Sequence, residues 1–313
     1  MDFGCHLPVF GPMATRDNLL AFARRAEALG YDSLWASDHV VVPTAIASRY
    51  PYNASGRLFI AADAALIEPL TALTFVAGVT ERARLGTSVL VLPHRHPLLA
   101  AKMLACLDHL SGGRVVVGAG IGWMREEIEM LGAPFARRAA WSEEAIAVMR
   151  ACWRGGRAAY RGEFFAFDEV GAYPRPARGD IPIWIGGHTA PALRRVAALG
   201  DGWHAAGATP AEVAPALATL REACARQGRR LEGLAISVRL GLAFRDRPAG
   251  PDRTQLHGTP DEIVETLGAY RALGVGTVIL DSRYRDLEDL VGIYERFARD
   301  VRPALMPPRT PAA

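Results

Sequence analysis

A closed (β/α)8 barrel with insertions after its second and fourth strands is the fold class this sequence predicts, on three observations. Strand-like runs alternate with helical runs eight times along the 313 residues. Polar or glycine-rich residues stand just after several of the strands, where such a barrel carries its chemistry. The length suits one barrel enlarged by insertions.

Residues 3–10 form the first predicted strand, closed by Gly11 and Pro12, and a helix over 17–29 stops at Gly30 as helices do before a glycine cap. Residues 33–37 make the second strand and deliver Asp38 and His39 at its end. The stretch 40–66 follows without periodicity, and loops this long in compact domains serve as lids or binding loops. A helix over 68–80, a strand over 84–92 and a helix over 97–110 come next. The fourth strand, 114–120, is apolar enough to be buried on both faces, as parallel strands are. Residues 123–154 are mostly helical, and 155–179 then breaks the rhythm with aromatics, glycines and prolines, which predicts an inserted hairpin or ordered loop. The last four strands fall at 181–187, 202–205, 235–244 and 276–281, with helices over 190–199, 211–227, 259–273 and 287–301. Thr259 caps the seventh of these helices, with Pro260 in its first turn. The barrel is expected to span 1–302 and the proline-rich tail, 303–313, to be frayed.

Half of the residues are hydrophobic and 22% are charged, the composition of a soluble globular protein with an ample core. A net charge of +3 is too small to argue for a nucleic-acid partner. No apolar run is long enough to span a bilayer, and the chain opens directly on a strand, so neither a membrane partner nor a signal peptide is expected. Cys5, Cys106, Cys152 and Cys224 lie far apart with no CxxC pair, as reduced cysteines of a cytoplasmic protein do. The histidines and cysteines show no zinc-ligand spacing, and no metal is expected.

Several residues can carry chemistry. His39, directly after a strand, can donate a hydrogen bond or proton to a bound ring, with Asp38 holding its orientation; the alternative is a loop histidine satisfied by a carbonyl. The run Gly118-Ala119-Gly120-Ile121-Gly122-Trp123 fails the dinucleotide fingerprint, because the third glycine would fall on Trp123. It still lets a backbone approach a flat ligand, or it serves tight packing at the barrel rim. Gly186-Gly187-His188-Thr189, between a strand and a helix, either offers amides to a phosphate or makes a tight turn. Gly86 inside the third strand marks a bend or a close ligand. His94-Arg95-His96 can neutralise an anion, but a solvated loop is the favoured reading. Trp123 follows the glycine run at the pocket face and is the tryptophan expected outside the core.

At these residues the chain resembles the luciferase-like flavin and deazaflavin oxidoreductases, above all the branch that uses coenzyme F420. The resemblance is carried by ALGYDSLWASDHVVVP (28–43), LGTSVLVLPHRHPLLAAKMLACLDHL (85–110) and SGGRVVVGAGIGWMREE (111–127). It continues in IPIWIGGHTAPALRRVAALGDGW (181–203) and HGTPDEI (257–263), so it covers nearly the whole chain in order. The resemblance implies a flavin-type ring bound at the strand ends, backed by a non-proline cis peptide at Ser88–Val89. It implies that Gly120, Ile121 and Gly122 line the cofactor, that Gly186, Gly187 and His188 take its phosphate, and that His39, with Asp38, serves hydride transfer. Sugar-phosphate dehydrogenases of the family carry a glutamate after the glycine run. Trp123 stands there instead, which argues against glucose 6-phosphate and, with the long 40–66 loop, for a partly apolar substrate in the pocket.

The leading expectation is therefore hydride transfer between coenzyme F420 and a small, partly apolar organic molecule. A second is a flavin mononucleotide (FMN)-dependent monooxygenase that uses reduced flavin and oxygen and is fed by a separate flavin reductase. A third is a non-catalytic flavin-binding paralogue. The resemblance also implies a homodimer formed through barrel helices.

Overall fold

The computed structural model of the chain describes residues 1–51, 53, 55–250 and 255–305. Its strands are β1 (Asp2–His6), β2 (Ser33–Ala36), β3 (Arg84–Thr87), β4 (Leu90–Val91), β5 (Val115–Gly120), β6 (Arg157–Arg161), β7 (Ala166–Gly171), β8 (Ile183–Gly186), β9 (Gly202–Ala206), β10 (Ala235–Phe244), β11 (Leu256–Gly258) and β12 (Thr277–Ser282). Strands β1, β2, β3, β5, β8, β9, β10 and β12 pair in parallel in that order, and β12 closes back onto β1. This is the closed eight-stranded parallel barrel that the alternating pattern predicts.

The helices are α1 (Arg16–Ala28), α2 (Pro69–Ala77), α3 (Pro97–Ser111), α4 (Arg125–Met130), α5 (Arg138–Gly155), α6 (Ala190–Leu199), α7 (Pro210–Arg226), α8 (Pro260–Ala272), α9 (Leu287–Asp300) and α10 (Arg302–Leu305). Their starts follow local chemistry. Thr209 and Thr259 each form a reciprocal capping box with the glutamate three residues on, ahead of a proline in the first turn. Apolar side chains between strands and helices make the main core. Trp35, Val116, Trp184 and Ile279 fill the barrel interior. Gly86 belongs to that packing: a side chain there would run into the Trp35 ring, so its purpose is to admit the indole rather than a ligand.

Some boundaries differ from the sequence expectation. β1 ends at His6, and Pro8, with no N–H to donate, ends the ladder two residues later. The third predicted strand is split into β3 and β4 around residues 88–89, where the Ser88–Val89 bond is cis. Within 155–179, β6 and β7 form an antiparallel hairpin. Among the described residues, 40–66 holds no helix or strand beyond one bridge from Leu66 to Phe10. β11, three residues long, is too short to show a period in the sequence. Arg302–Leu305 is helical rather than frayed, and the rest of the expected tail, 306–313, lies outside the described residues. No described helix is long and apolar enough to cross a membrane.

Candidate active site

The end of β2 feeds Ser37, Asp38 and His39 into the mouth of the barrel. Asp38 is 4% exposed, and its carboxylate is already fully engaged. Arg95 donates to both its oxygens, at 2.7 and 2.8 Å, and the Val91 amide donates at 2.9 Å. Burial opposes the charge, but the neighbouring His94 ring and the hydrogen bonds and charge of the Arg95 guanidinium hold this carboxyl well below the usual carboxylate range. Arg95 also reaches Glu68 at 2.7 Å. The expected support of His39 by Asp38 is therefore corrected: Asp38 anchors Arg95 and the segment after β4.

The partner of His39 is Glu127, in the first turn of α4. Its Oε2 lies 2.6 Å from His39 Nδ1, and the side chain is wholly buried. Its other oxygen accepts the amides of Val40 and Val41, at 2.7 and 3.2 Å. With Nδ1 fixed in this way, His39 Nε2 takes no hydrogen bond from the described residues. His94 fills the space between the two carboxylates: Nε2 is 3.5 Å from Glu127 Oε2 and Nδ1 is 3.7 Å from Asp38 Oδ2. His94 and Arg95 thus belong to a buried cluster, correcting the solvated-loop reading, whereas His96 is exposed and caps α3.

Helix α4 also fastens the lid. Glu126 accepts the amides of Ala47 and Ser48 at 2.7 and 2.9 Å, and Arg125 donates its own amide to Ser48 Oγ. Desolvation works against the Glu126 charge, yet bonds from Ser48 and the loop amides hold its carboxyl at about 2. Two successive glutamates therefore staple both ends of the 40–48 segment. Above them, Trp123 meets the His39 ring edge-on at 6.3 Å and Tyr50 at 5.1 Å, and Tyr50 meets Phe59. Trp123 and lid aromatics together make an apolar wall beside His39.

Below the mouth lies a second polar layer. Ser237 Oγ donates to the Trp203 carbonyl and so accepts from His204 Nδ1, which leaves His204 Nε2 to accept from Ser88 Oγ at 2.8 Å. Burial, with the nearby Arg239 charge, pushes His204 down to about 3, so the ring is neutral as this chain of bonds requires. Arg239 donates to Ser37 Oγ and to the Ser88 carbonyl, both at 2.8 Å, and pairs with Asp281 at 2.6 Å. Burial and the same guanidinium bring His6 down to about 4. The Ser88–Val89 peptide is thus held from both its side chain and its carbonyl.

The glycine run packs against that bulge. A side chain at Gly118 would fall on the Thr87 carbonyl, and one at Gly120 would reach within 2.5 Å of a Val89 methyl. A Cβ at Gly186 would lie 3.4 Å from the other Val89 methyl. The bulge, the glycine run and the glycine turn are therefore adjacent, and Val89, Gly120, Ile121, Gly122, Gly186 and Gly187 are only partly buried. In the turn, Gly187 has a φ of 105°, which favours glycine. Pro191 has no N–H and Thr189 Oγ accepts from Ala192, so an anion would draw on the amides of His188, Thr189 and Ala190. The His188 ring itself is bonded to the Ala206 carbonyl.

These residues fit a flat ring with a phosphate-bearing tail: a half-open ledge of small residues is flanked by spare backbone donors and by His39 Nε2. Sequence reasoning missed Glu127, His94, Arg95 and Arg239 as parts of the site. Glu127 closes the motif that ends at 127, but its pairing with a histidine 88 residues earlier leaves no local signal.

A family model described as luciferase-like monooxygenase matches residues 1–250. An uncharacterized protein of Mycobacterium tuberculosis is 32% identical over 269 residues, covering 86% of this chain and 91% of that protein. The F420-dependent glucose-6-phosphate dehydrogenase of Nakamurella multipartita is 31% identical over 244 residues, 75% of this chain and 65% of that one. Among solved structures, the monooxygenase RslO1 from Streptomyces bottropensis superposes with a TM-score of 0.79 at 21% identity, covering 98% of this chain and 100% of that one.

Proposed function

The chain belongs to the luciferase-like monooxygenase family, and from that premise we propose that it is an oxidoreductase using coenzyme F420 on a small, partly apolar organic substrate. The observation that carries the reading is His39, oriented through Nδ1 by a buried glutamate and left with Nε2 open beside a half-buried ledge. The F420-dependent relative supports the choice of cofactor. When bound, coenzyme F420 would supply a hydride donor or acceptor. Ser88, Val89, Gly120, Ile121 and Gly122 would receive its ring, and Gly186, Gly187 and His188 would hold its phosphate. His39 Nε2 would hold or take the proton on the substrate oxygen.

By the family resemblance Trp123 stands where the sugar-phosphate enzymes carry a glutamate, and with Tyr50 and Phe59 it presents an apolar wall. That wall excludes water and favours a substrate with apolar surface over a sugar phosphate. We read the protein as cytoplasmic and homodimeric, with 1–302 as one barrel unit. The family's description as luciferase-like monooxygenases, and the fold shared with the monooxygenase RslO1, support a second reading: an FMN-dependent monooxygenase with a flavin reductase partner.

Titrating the purified apo-protein with each cofactor, followed by tryptophan fluorescence, separates the two. Saturable binding of the deazaflavin with weak FMN binding is expected. The reverse preference would overturn the deazaflavin reading in favour of the monooxygenase.

A further inference from the structure

We propose that His94 is the proton store of this site, exchanging a proton with His39 through Glu127 so that His39 returns to neutrality without solvent. The inference deepens the reading of His39 as the group that handles the substrate proton, and it rests on that reading. Its first support is geometric. Glu127 commits one oxygen to the lid amides of Val40 and Val41 and presents the other to both histidines, at 2.6 Å from His39 and 3.5 Å from His94. Among the described residues, His94 Nδ1 is buried with no hydrogen-bond partner. Buried polar atoms are nearly always bonded, so an orphan wedged between two carboxylates calls for a role.

The second support is charge. The ionisable groups facing the pair are Asp38 after β2, Glu127 on α4, Arg95 after β4, and Glu68 before α2, which Arg95 bridges. Asp38 and Glu127 are fully buried side chains, and Glu68 is 26% exposed. Among the described residues one guanidinium faces three carboxylates, and burying unbalanced charge is costly. One proton on the His39–Glu127–His94 set removes half of that imbalance, and these two imidazoles are where it can reside.

The step balances as follows in the oxidising direction. A substrate hydroxyl gives its proton to His39 Nε2 as the carbon's hydride leaves with a deazaflavin-class acceptor. His39 passes its Nδ1 proton to Glu127 Oε2, and Glu127 passes one to His94 Nε2. His39 ends neutral with its proton on Nε2, Glu127 ends as a carboxylate, and His94 ends as a cation facing Asp38 and Glu127. Reduction runs the same path backwards. His94 touches no substrate on this path, so it is a positioning and storage residue, not a catalytic one.

The test is imidazole nitrogen NMR of the free protein from pH 5 to 9, for the parent chain, His94→Gln and Glu127→Gln, with thermal melts to establish folding. The parent chain should show His39 and His94 titrating as a coupled pair. Each variant should leave His39 with a single, shifted step. Turnover of His94→Gln should fall about tenfold at unchanged KM with an altered pH profile, less than the about hundredfold or more expected for loss of an acid–base group itself. His39 and His94 titrating independently in the parent chain would overturn the proposal, and so would a His39 titration unchanged in a folded variant. If His94→Gln does not fold, the parent and Glu127→Gln spectra decide alone. The spectra need neither cofactor nor substrate, so this failure is distinguishable from failure of the cofactor assignment.

Discussion

The barrel buries two layers of histidine, one inside the strands and one at their ends, and the two layers face opposite charge. Inside, His6 and His204 lie under the influence of Arg239, and burial with that guanidinium keeps both rings neutral at ordinary pH. At the mouth, His39 and His94 share Glu127, and His94 also faces Asp38. A neutral imidazole beside a cation is a fixed donor–acceptor spacer, and here it bridges Ser88 to Ser237. An imidazole against a carboxylate has somewhere to send a proton and a source to recover it from. The residue type is the same in both layers, and the neighbouring charge is the ground on which we assign scaffold to one and propose chemistry for the other.

The comparison breaks most visibly at its ion pair. Asp38→Asn leaves Arg95 buried, with a side chain 8% exposed, and without its bidentate partner. Unfolding in urea should show a loss of about 3–5 kcal/mol, the scale for removing one member of a buried pair. A loss within experimental error would mean that this cluster does not anchor the segment after β4. Because the Asp38 carboxyl is depressed in the folded protein, its stabilisation is present above the ordinary carboxylate range and is lost as pH falls below it.

The interior layer makes a smaller prediction, at milder pH. His6 and His204 have folded values of about 4 and about 3, below the ordinary 6.5. Between those limits the unfolded chain binds protons that the folded chain refuses, so stability is full above about pH 6.5 and drains as pH falls. Each histidine contributes a slope of up to about 1.4 kcal/mol per pH unit over that window. Urea unfolding at pH 7, 6 and 5 measures it, and His204→Gln should remove part of the slope. A parent chain equally stable at pH 7 and 5 would place these rings in a wetter interior than the hydrogen bonds indicate.

The barrel was legible in the sequence because parallel strands buried on both faces read as apolar runs, as 114–120 does, and because helix starts such as Thr259-Pro260 carry their own chemistry. The bulge at Ser88–Val89 was legible only by resemblance, whereas the glycine turn showed in its own residues between a strand and a helix. The pairings within the site were not. Asp38 adjoins His39 in sequence, yet adjacent side chains leaving a strand diverge, and Asp38 turned to Arg95 while His39 met Glu127. His94 and Arg95 looked like a solvated loop because polar residues after Pro93 have no local mark of burial. Gly86 and Gly118 carried a signal of close approach, but what approaches is the Trp35 ring and the Thr87 carbonyl.

The division between scaffold and chemistry is tested most directly at His39. His39→Gln should be assayed for turnover and, in parallel, for cofactor affinity by fluorescence titration. The account predicts that turnover falls by about 10²–10⁴-fold while cofactor affinity changes little, as befits a group that handles a proton on the substrate. Equal losses in both would contradict it and leave His39 as a binding residue.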